Sequence, residues 1–249
     1  MMAALLAGGL GTRLRSVVAD RPKGLAEIGG RAFLEILLAQ VRAAAVRKVV
    51  LCTGYLGHQI RSYFGGQHRG LKLVYSEETQ PLGTAGALRL ALPLFSSESV
   101  LVLNGDSYYL GELAPIFDWH FEKKAAISIL LAKVGDTGRY GNVETASSGQ
   151  IEQFREKESA GTGSGWVNAG VYLIQRNVIQ TIPDDRPISL EREVFPSFIG
   201  RGLYGYRGQQ DFLDIGTPES YAQALSFIRR GHQETATGTS REKRRREYP

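Results

Sequence analysis

Residues 3–14 read AALLAGGLGTRL. The first five are apolar, as in a buried strand, and glycines at positions 8, 9 and 11 follow directly. Glycine allows a sharp turn with positive φ and lets backbone N–H groups crowd around a ligand. Such a turn after a strand is a common place to hold phosphate. The stretch therefore predicts a strand that ends in a phosphate-binding loop.

Strand-like runs and helical patterns alternate along the rest of the chain. Apolar runs such as VVLCT and SVLVLN are typical of buried strands, whereas the apolar residues between positions 33 and 41 recur at helical spacing. The alternation predicts an α/β fold with three layers, in which helices cover both faces of a mostly parallel sheet. The second half is richer in strand patterns, and we expect the sheet to be mixed.

Three of the predicted helices lie beyond the first third of the chain. One should run from Thr84 to Phe95, and another should contain Val194 and Phe198. The last should begin at Thr217-Pro218, because a hydroxyl at the N-cap and a proline in the first turn favour a helix start.

The composition predicts one domain followed by a polar tail. Of the 249 residues, 43% are hydrophobic and 22% charged, which is enough to bury a sizeable core. We expect a single domain over residues 1–231. Residues 232–249 are basic and lack an apolar period, which predicts a disordered tail.

Charge and cysteine content exclude several classes of protein. The net charge is +5, but the tail holds five Lys and Arg against three Glu, so the body is close to balanced and is not built to bind nucleic acid. Cys52 is the only cysteine, which excludes an intrachain disulfide, and it lies in an apolar run that predicts burial. No secretory or membrane-spanning pattern is present, so we expect a cytoplasmic protein.

The glycine loop matches neither of two common phosphate-binding motifs. A dinucleotide-binding loop requires G-x-G-x-x-G and an acidic residue after the second strand, whereas Leu14 occupies the third glycine position and VVLCTG contains no acid. The Walker pattern G-x-x-x-x-G-K-[ST] is also absent. What remains is GG-x-G-T-R followed by proline and lysine.

Seven motifs in this order resemble the sugar-1-phosphate nucleotidyltransferases, the NDP-sugar pyrophosphorylases. They are GGLGTRL, RPKGLAEIGG, EETQPLGTAGAL, NGD, EK, NAG and DIGTPE, between residues 8 and 219. The segments RYG and FLDIGTPESY are most similar to the D-glycero-α-D-manno-heptose 1-phosphate guanylyltransferases. The resemblance implies the Rossmann-like nucleotide-diphospho-sugar transferase fold, with a nucleotide-binding half at 1–110 and a sugar-phosphate half at 111–231.

The chemistry of that family agrees with the residues that carry charge. A sugar 1-phosphate oxygen attacks the α-phosphorus of a nucleoside triphosphate and expels pyrophosphate, so the anionic nucleophile needs no general base. The reaction instead requires that the phosphate charges are neutralised and that the two phosphate-bearing substrates are aligned. We predict that Arg13 and Lys23 do this. We expect surface or hydrogen-bonded core positions for the histidines, which are His58, His68, His120 and His232.

Two aspartates are the predicted Mg²⁺ ligands. Asp106 ends an apolar strand, and Asp214 lies between apolar neighbours in another. Mg²⁺ is usually bound by one or two carboxylates together with phosphate oxygens and water. Helix capping for Asp106 and a turn position for Asp214 are the structural alternatives.

The resemblance also implies a nucleotide site. Guanine presents two adjacent N–H donors that one carboxylate can accept, whereas the ring N–H of uracil or thymine lies between carbonyls. Glu78 therefore favours GTP, although Glu77 could take the same role. The predicted nucleotide-binding residues are Leu6, Ala7, Gly8, Gly9, Gly11, Thr12, Glu78, Pro81, Gly83 and Thr84.

The sugar-phosphate site is implied to lie in the second half. Lys157 would meet the phosphate, and Glu156 and Asn168, with the backbone of Gly141, would bind sugar hydroxyls. Asn168 interrupts an apolar strand, where a buried amide must be hydrogen-bonded to a ligand or a polar network. Gly105, before Asp106, would leave room for the sugar ring.

The sequence thus predicts a Mg²⁺-dependent nucleotidyltransferase that uses GTP and a heptose 1-phosphate and that could form a homo-oligomer. A mannose or glucose 1-phosphate nucleotidyltransferase using GTP, UTP or dTTP is the first alternative. A non-catalytic sensor of sugar nucleotides is the second, and RNA binding through the RRRE segment of the tail is the third.

Overall fold

The computed structural model describes residues 1–138, 140–155 and 163–230, and an eight-stranded sheet lies at its centre. The strands are β1 (Met2–Ala7), β2 (Glu27–Ile28), β3 (Arg31–Ala32), β4 (Lys48–Thr53), β5 (Gln67–His68), β6 (Leu71–Glu77), β7 (Ser99–Asn104), β8 (Ser107–Tyr109), β9 (Ile127–Val134), β10 (Asn142–Thr145), β11 (Ile151–Arg155), β12 (Gly165–Gln175), β13 (Leu203–Arg207) and β14 (Phe212–Asp214). The helices are α1 (Phe33–Ala43), α2 (Gly57–Phe64), α3 (Gly83–Ala91), α4 (Ala114–Glu122), α5 (Arg176–Thr181), α6 (Phe195–Ser197) and α7 (218–230).

The central sheet is mixed, as the sequence predicts. Its strand order is β13-β9-β12-β7-β1-β4-β6-β5. β1 pairs in parallel with β4 and β7, and β4 with β6, so their carboxyl ends share one edge. β12 runs antiparallel to both β7 and β9, β9 is parallel to β13, and β5 is antiparallel to β6.

Both faces of the sheet are buried, which explains the continuous apolar runs. Side chains alternate between two cores: Leu5 and Leu51 face one, and Ala4 and Cys52 face the other. α1, α2, α4 and α7 contribute to the first core, and α3, α5 and α6 to the second. The three-layer α/β/α prediction is therefore confirmed.

Several helices differ from the sequence prediction. The helix predicted over 84–95 ends at Ala91 and continues as a 3-10 turn that contains Pro93, which has no N–H to donate. The helix predicted around Val194 is a π turn, Leu190–Val194, followed by α6. The sequence reasoning missed α4 and α5, because each buries only two side chains and shows a weak apolar period.

Cys52 and His120 both lie in the core. Cys52 is buried, as expected, and burial raises the pKa of its thiol to about 12. His120 is a hydrogen-bonded core residue, whereas the predicted disordered tail and His232 lie outside the described residues. Within the described ranges, no helix combines the length and the apolar character needed to cross a bilayer.

Candidate active site

The glycine loop joins β1 to a short 3-10 helix, Thr12–Leu14. Gly11 has a φ of 59°, a left-handed conformation that favours glycine. Leu14 is buried and anchors the short helix, while Arg13 beside it stays exposed. This local structure leaves the loop backbone and Arg13 free to line a cleft.

The cleft has a volume of about 370 Å³ and lies at the carboxyl edge of the parallel strands. It is bounded by the glycine loop, the ends of β4, β6 and β7, and the start of α3. The predicted residues that line it are Leu6, Ala7, Gly8, Gly9, Gly11, Thr12, Arg13, Lys23, Glu78, Pro81, Gly83, Thr84, Gly105 and Asp106.

Lys23, Asp106 and Asp214 form a charged cluster at one end of the cleft. The Lys23 ammonium donates to Oδ2 of Asp106 over 2.9 Å and lies 3.8 Å from Oδ1 of Asp214. That second carboxylate also accepts from the N–H of Gly216 at 2.6 Å. A side-chain carbon at position 216 would lie 3.2 Å from the Arg13 guanidinium, and this charge also acts on Asp214.

The side chain of Asp214 is less exposed than that of Asp106, at 21% against 38%. Burial raises the pKa of its carboxyl, and the nearby charge of Asp106 raises it further, whereas Lys23, the Gly216 N–H and Arg13 lower it. A cation between the two carboxylates would lower this pKa, because its charge offsets the repulsion from Asp106 and the cost of burying a charged group.

The donor set at this position fits Mg²⁺. Two carboxylates already face one cation, the Lys23 ammonium, and Mg²⁺ completes such sites with water and phosphate oxygens. In the described ranges, including this cleft, no group of three or more His, Cys, Asp or Glu side chains is arranged to hold a metal. A Mg²⁺ at this position would have two protein ligands, Asp106 and Asp214.

Glu78 lies in the cleft, whereas Glu77 does not line it. Glu77 pairs with Arg61 at 3.8 Å, and Oε2 of Glu78 accepts from the Leu82 N–H at 3.1 Å. A Cβ on Gly8 would lie 2.6 Å from Oε1 of Glu78, so that glycine makes room for the carboxylate. Burial raises the pKa of Glu78, and the Leu82 N–H opposes that increase.

Of the predicted sugar-phosphate residues in the described ranges, only Gly105 lines the cleft. Asn168 and Gly141 do not line the cleft, and Glu156 and Lys157 lie outside the described residues. Asn168 is nevertheless part of a polar network, since it donates to the Tyr172 hydroxyl at 2.9 Å. A side chain at Gly105 would collide with the backbone of Leu6, so close approach of two strands explains this glycine better than room for a ring.

Sequence reasoning missed several residues of the cleft wall. Asn104 and Gly216 adjoin Asp106 and Asp214, and the rule that ligands bind at strand ends could have included them. Thr84 reaches Glu191, a residue with no motif, through a hydrogen bond of 2.9 Å. The other missed lining residues are Leu10, Gly24, Cys52 and Ala87.

The model of one protein family, described as nucleotidyl transferase, matches residues 2–231. The chain belongs to the nucleotidyl transferase family. This assignment agrees with the sheet, the glycine loop and the cluster of cations and acids at its edge. This nucleotidyl transferase is an enzyme of the sugar-1-phosphate class, because its curated relatives are sugar-1-phosphate guanylyltransferases.

Two curated relatives and one crystal structure show the range of similarity. This nucleotidyl transferase is 34% identical over 225 residues to D-glycero-alpha-D-manno-heptose 1-phosphate guanylyltransferase of Aneurinibacillus thermoaerophilus, covering 90% of this chain and 96% of the relative. It is 35% identical over 233 residues to mannose-1-phosphate guanylyltransferase of Mycobacterium tuberculosis, covering 92% of this chain but 65% of that relative. HddC from Yersinia pseudotuberculosis, crystallised with GMP-PN, is 30% identical with a TM-score of 0.78, covering 90% of this chain and 98% of HddC.

Proposed function

We propose that this enzyme joins GTP and D-glycero-α-D-manno-heptose 1-phosphate to form GDP-heptose and pyrophosphate, with Mg²⁺. The observation that carries the choice of base is the position of Glu78, whose half-buried carboxylate lines the cleft. The choice of sugar rests on the heptose relative, which matches this chain over nearly its whole length.

The proposed reaction is a displacement at the α-phosphorus of GTP. An oxygen of the sugar 1-phosphate forms the new P–O bond while the bond to pyrophosphate breaks, and pyrophosphate leaves with the electron pair. The nucleophile is already ionised, so no side chain has to remove a proton. Arg13 and Lys23 would neutralise charge on the phosphates, and the N–H groups of the glycine loop would align them.

Asp106 and Asp214 would hold the metal. A bound Mg²⁺ would neutralise phosphate charge and orient the triphosphate. The Lys23 ammonium, released from the two carboxylates, would then turn to the phosphates. Glu156, Lys157, Asn168 and the backbone of Gly141 are proposed to bind the sugar phosphate.

Two alternatives remain for the same cleft. The mannose-1-phosphate guanylyltransferase relative supports mannose 1-phosphate as a second candidate substrate. A sensor that binds a sugar nucleotide without turnover would need the base site but not the cluster of Lys23, Asp106 and Asp214. The cluster therefore favours an enzyme.

Pyrophosphate release over a matrix of substrates tests the proposal. GTP, UTP and dTTP would each be combined with the 1-phosphates of heptose, mannose and glucose. We expect the fastest release with GTP and heptose 1-phosphate. Faster release with mannose 1-phosphate would make mannose 1-phosphate the substrate instead of heptose 1-phosphate. No release with any pair would favour the sensor, and removal of residues 232–249 should leave turnover unchanged.

A further inference from the structure

A hydrogen-bonded network lies behind the wall of the cleft, centred on the fully buried Tyr172. Its hydroxyl donates to Oε1 of Glu191 at 3.2 Å. The same hydroxyl accepts from the side-chain amides of Asn104 at 3.2 Å and Asn168 at 2.9 Å. Oε2 of Glu191 in turn accepts from the hydroxyls of Thr84 and Ser189 at 2.9 Å each.

The number of protons in this network fixes the orientation of both amides. Both oxygens of the Glu191 carboxyl group accept hydrogen bonds, and the single hydroxyl proton of Tyr172 goes to Oε1. Both asparagines must then present their NH₂ groups, not their oxygens, to Tyr172. Neither amide can flip without losing a hydrogen bond.

The side-chain oxygens of Asn168 and Asn104 differ in their hydrogen bonding. Oδ1 of Asn168 accepts from the N–H of Gly170 at 2.8 Å. Oδ1 of Asn104 is buried without a hydrogen-bond partner among the described residues, although its side chain lines the cleft. A buried acceptor without a donor costs free energy, which a donor on a bound molecule would recover.

The position of Asn104 in the sheet limits the possible donor. Glu78 follows β6 and Asn104 ends β7, and β1 and β4 lie between these strands. The Glu78 side chain extends from the end of β6 to Gly8, which follows β1. Asn104 lies two residues before Asp106, so a ribose or sugar hydroxyl near Asp106 would lie beside it.

We propose that Oδ1 of Asn104 accepts a hydrogen bond from a substrate hydroxyl, and that Tyr172 and Glu191 are positioning residues that fix the orientation of the Asn104 amide. The proposal rests on the proposed function, since it requires a ribose or a sugar in the cleft. The hydroxyl belongs either to the ribose of the nucleotide or to the sugar 1-phosphate.

Substrate analogues that lack one hydroxyl distinguish these sources. We would measure kcat/KM for the wild type and Asn104→Leu with GTP, 2′-deoxy-GTP and 3′-deoxy-GTP, and with monodeoxy forms of the accepted sugar 1-phosphate. For one analogue the wild type should lose at least about tenfold, the usual cost of an unmade hydrogen bond. Asn104→Leu should show that loss with the complete substrates and no further loss with that analogue. Equal additional losses with every analogue in Asn104→Leu would overturn the proposal.

Further variants separate the contact from a structural effect. Asn104→Asp keeps an acceptor for the substrate but loses the N–H that donates to Tyr172, so it should keep part of the discrimination against that analogue. Tyr172→Phe frees the amide and should reduce the discrimination, mainly through KM, with kcat retained; unchanged discrimination would exclude the positioning role. Asn177→Ala, at an exposed asparagine beyond the opposite end of β12, should behave as the wild type.

Failure of the proposed function would be visible separately. If the wild type releases no pyrophosphate with any substrate pair, titration calorimetry with the same nucleotides and sugar phosphates replaces the kinetics. Weaker binding of one deoxy analogue to the wild type, but not to Asn104→Leu, would support the contact. Equal affinities of the wild type for all analogues would overturn it.

Discussion

Lys23 and Asp106 bind each other across the cleft, with 2.9 Å between the ammonium nitrogen and Oδ2. Lys23 comes from a 3-10 turn that follows the glycine loop, and Asp106 follows the central strand β7. Each group balances the charge of the other. In the proposed function, phosphate and metal would replace this pair with two new ones, in which the lysine would meet phosphate and the aspartate would meet the metal.

Replacing either predicted cation should therefore impair the reaction. Lys23→Ala and Arg13→Ala should each lower turnover by about a hundredfold or more, the typical loss when one group that stabilises transition-state charge is removed. Steady-state pyrophosphate release measures the effect. Lys133→Ala, at an exposed strand position, is the matched control. Near wild-type activity in Lys23→Ala or Arg13→Ala would exclude the assigned role.

Asp214→Asn should raise the Mg²⁺ concentration needed for half-maximal activity and lower the maximal rate. An amide is a weaker ligand than a carboxylate for a hard cation. The measurement is activity against Mg²⁺ concentration, with Asp106→Asn in parallel. An unaltered titration for Asp214→Asn would leave Asp106 as the protein ligand.

The choice of base should depend on Glu78. Glu78→Gln should reduce kcat/KM for GTP by about 1 to 3 kcal/mol in transition-state free energy, because one guanine N–H loses its acceptor. UTP use should change little or improve. Glu77→Gln is a close control, since its carboxylate faces Arg61 instead of the cleft. Equal losses with both nucleotides would remove the guanine assignment.

Gly83 should be intolerant of any side chain. Its φ is 75°, and a Cβ there would collide with the carbonyl of Ile188, which accepts from the N–H groups of α3. Gly30 has a φ of 79°, and a Cβ there would meet no described atom within 4 Å. Gly30→Ala should cost about 1 to 2 kcal/mol for the left-handed conformation alone. Gly83→Ala should lower the free energy of unfolding, measured with urea, clearly more than Gly30→Ala does. Equal losses in the two variants would contradict the collision with Ile188.

His120 should make stability depend on pH. Burial lowers the pKa of its imidazole from 6.5 to about 4, so between these values the unfolded chain binds a proton that the folded chain does not. The contribution of His120 to the free energy of unfolding is complete above pH about 6.5, and it falls by about 3 kcal/mol as the pH decreases to 4. Urea unfolding at several pH values in this range measures the free energy of unfolding. That free energy should fall less steeply with decreasing pH for His120→Gln than for the wild type. Exposed His58→Gln should keep the wild-type slope.

The sequence predicted the parts of the cleft that lie at the ends of strands. Parallel strands place their carboxyl ends at one edge, so the strand pattern predicted that the glycine loop and Asp106 lie at the ligand-binding edge, and the family resemblance added Glu78. Tyr172 and Glu191 could not be foreseen, since their contacts join segments far apart in the chain and neither residue belongs to a motif. The short helices α4 and α5 were missed for a local reason, namely that few of their side chains are buried.

The position of β12 affects how the chain can be synthesised and folded. β7 pairs with β1 on one side and with β12 on the other. β12 follows β9 in the chain but lies between β9 and β7 in the sheet. Until a ribosome has produced residue 175, the apolar edge of β7 has no native partner. An unpaired edge of this kind is a template for aggregation. Expression at low temperature or with chaperones should therefore raise the yield of folded protein, and fragments that stop before β12 should aggregate.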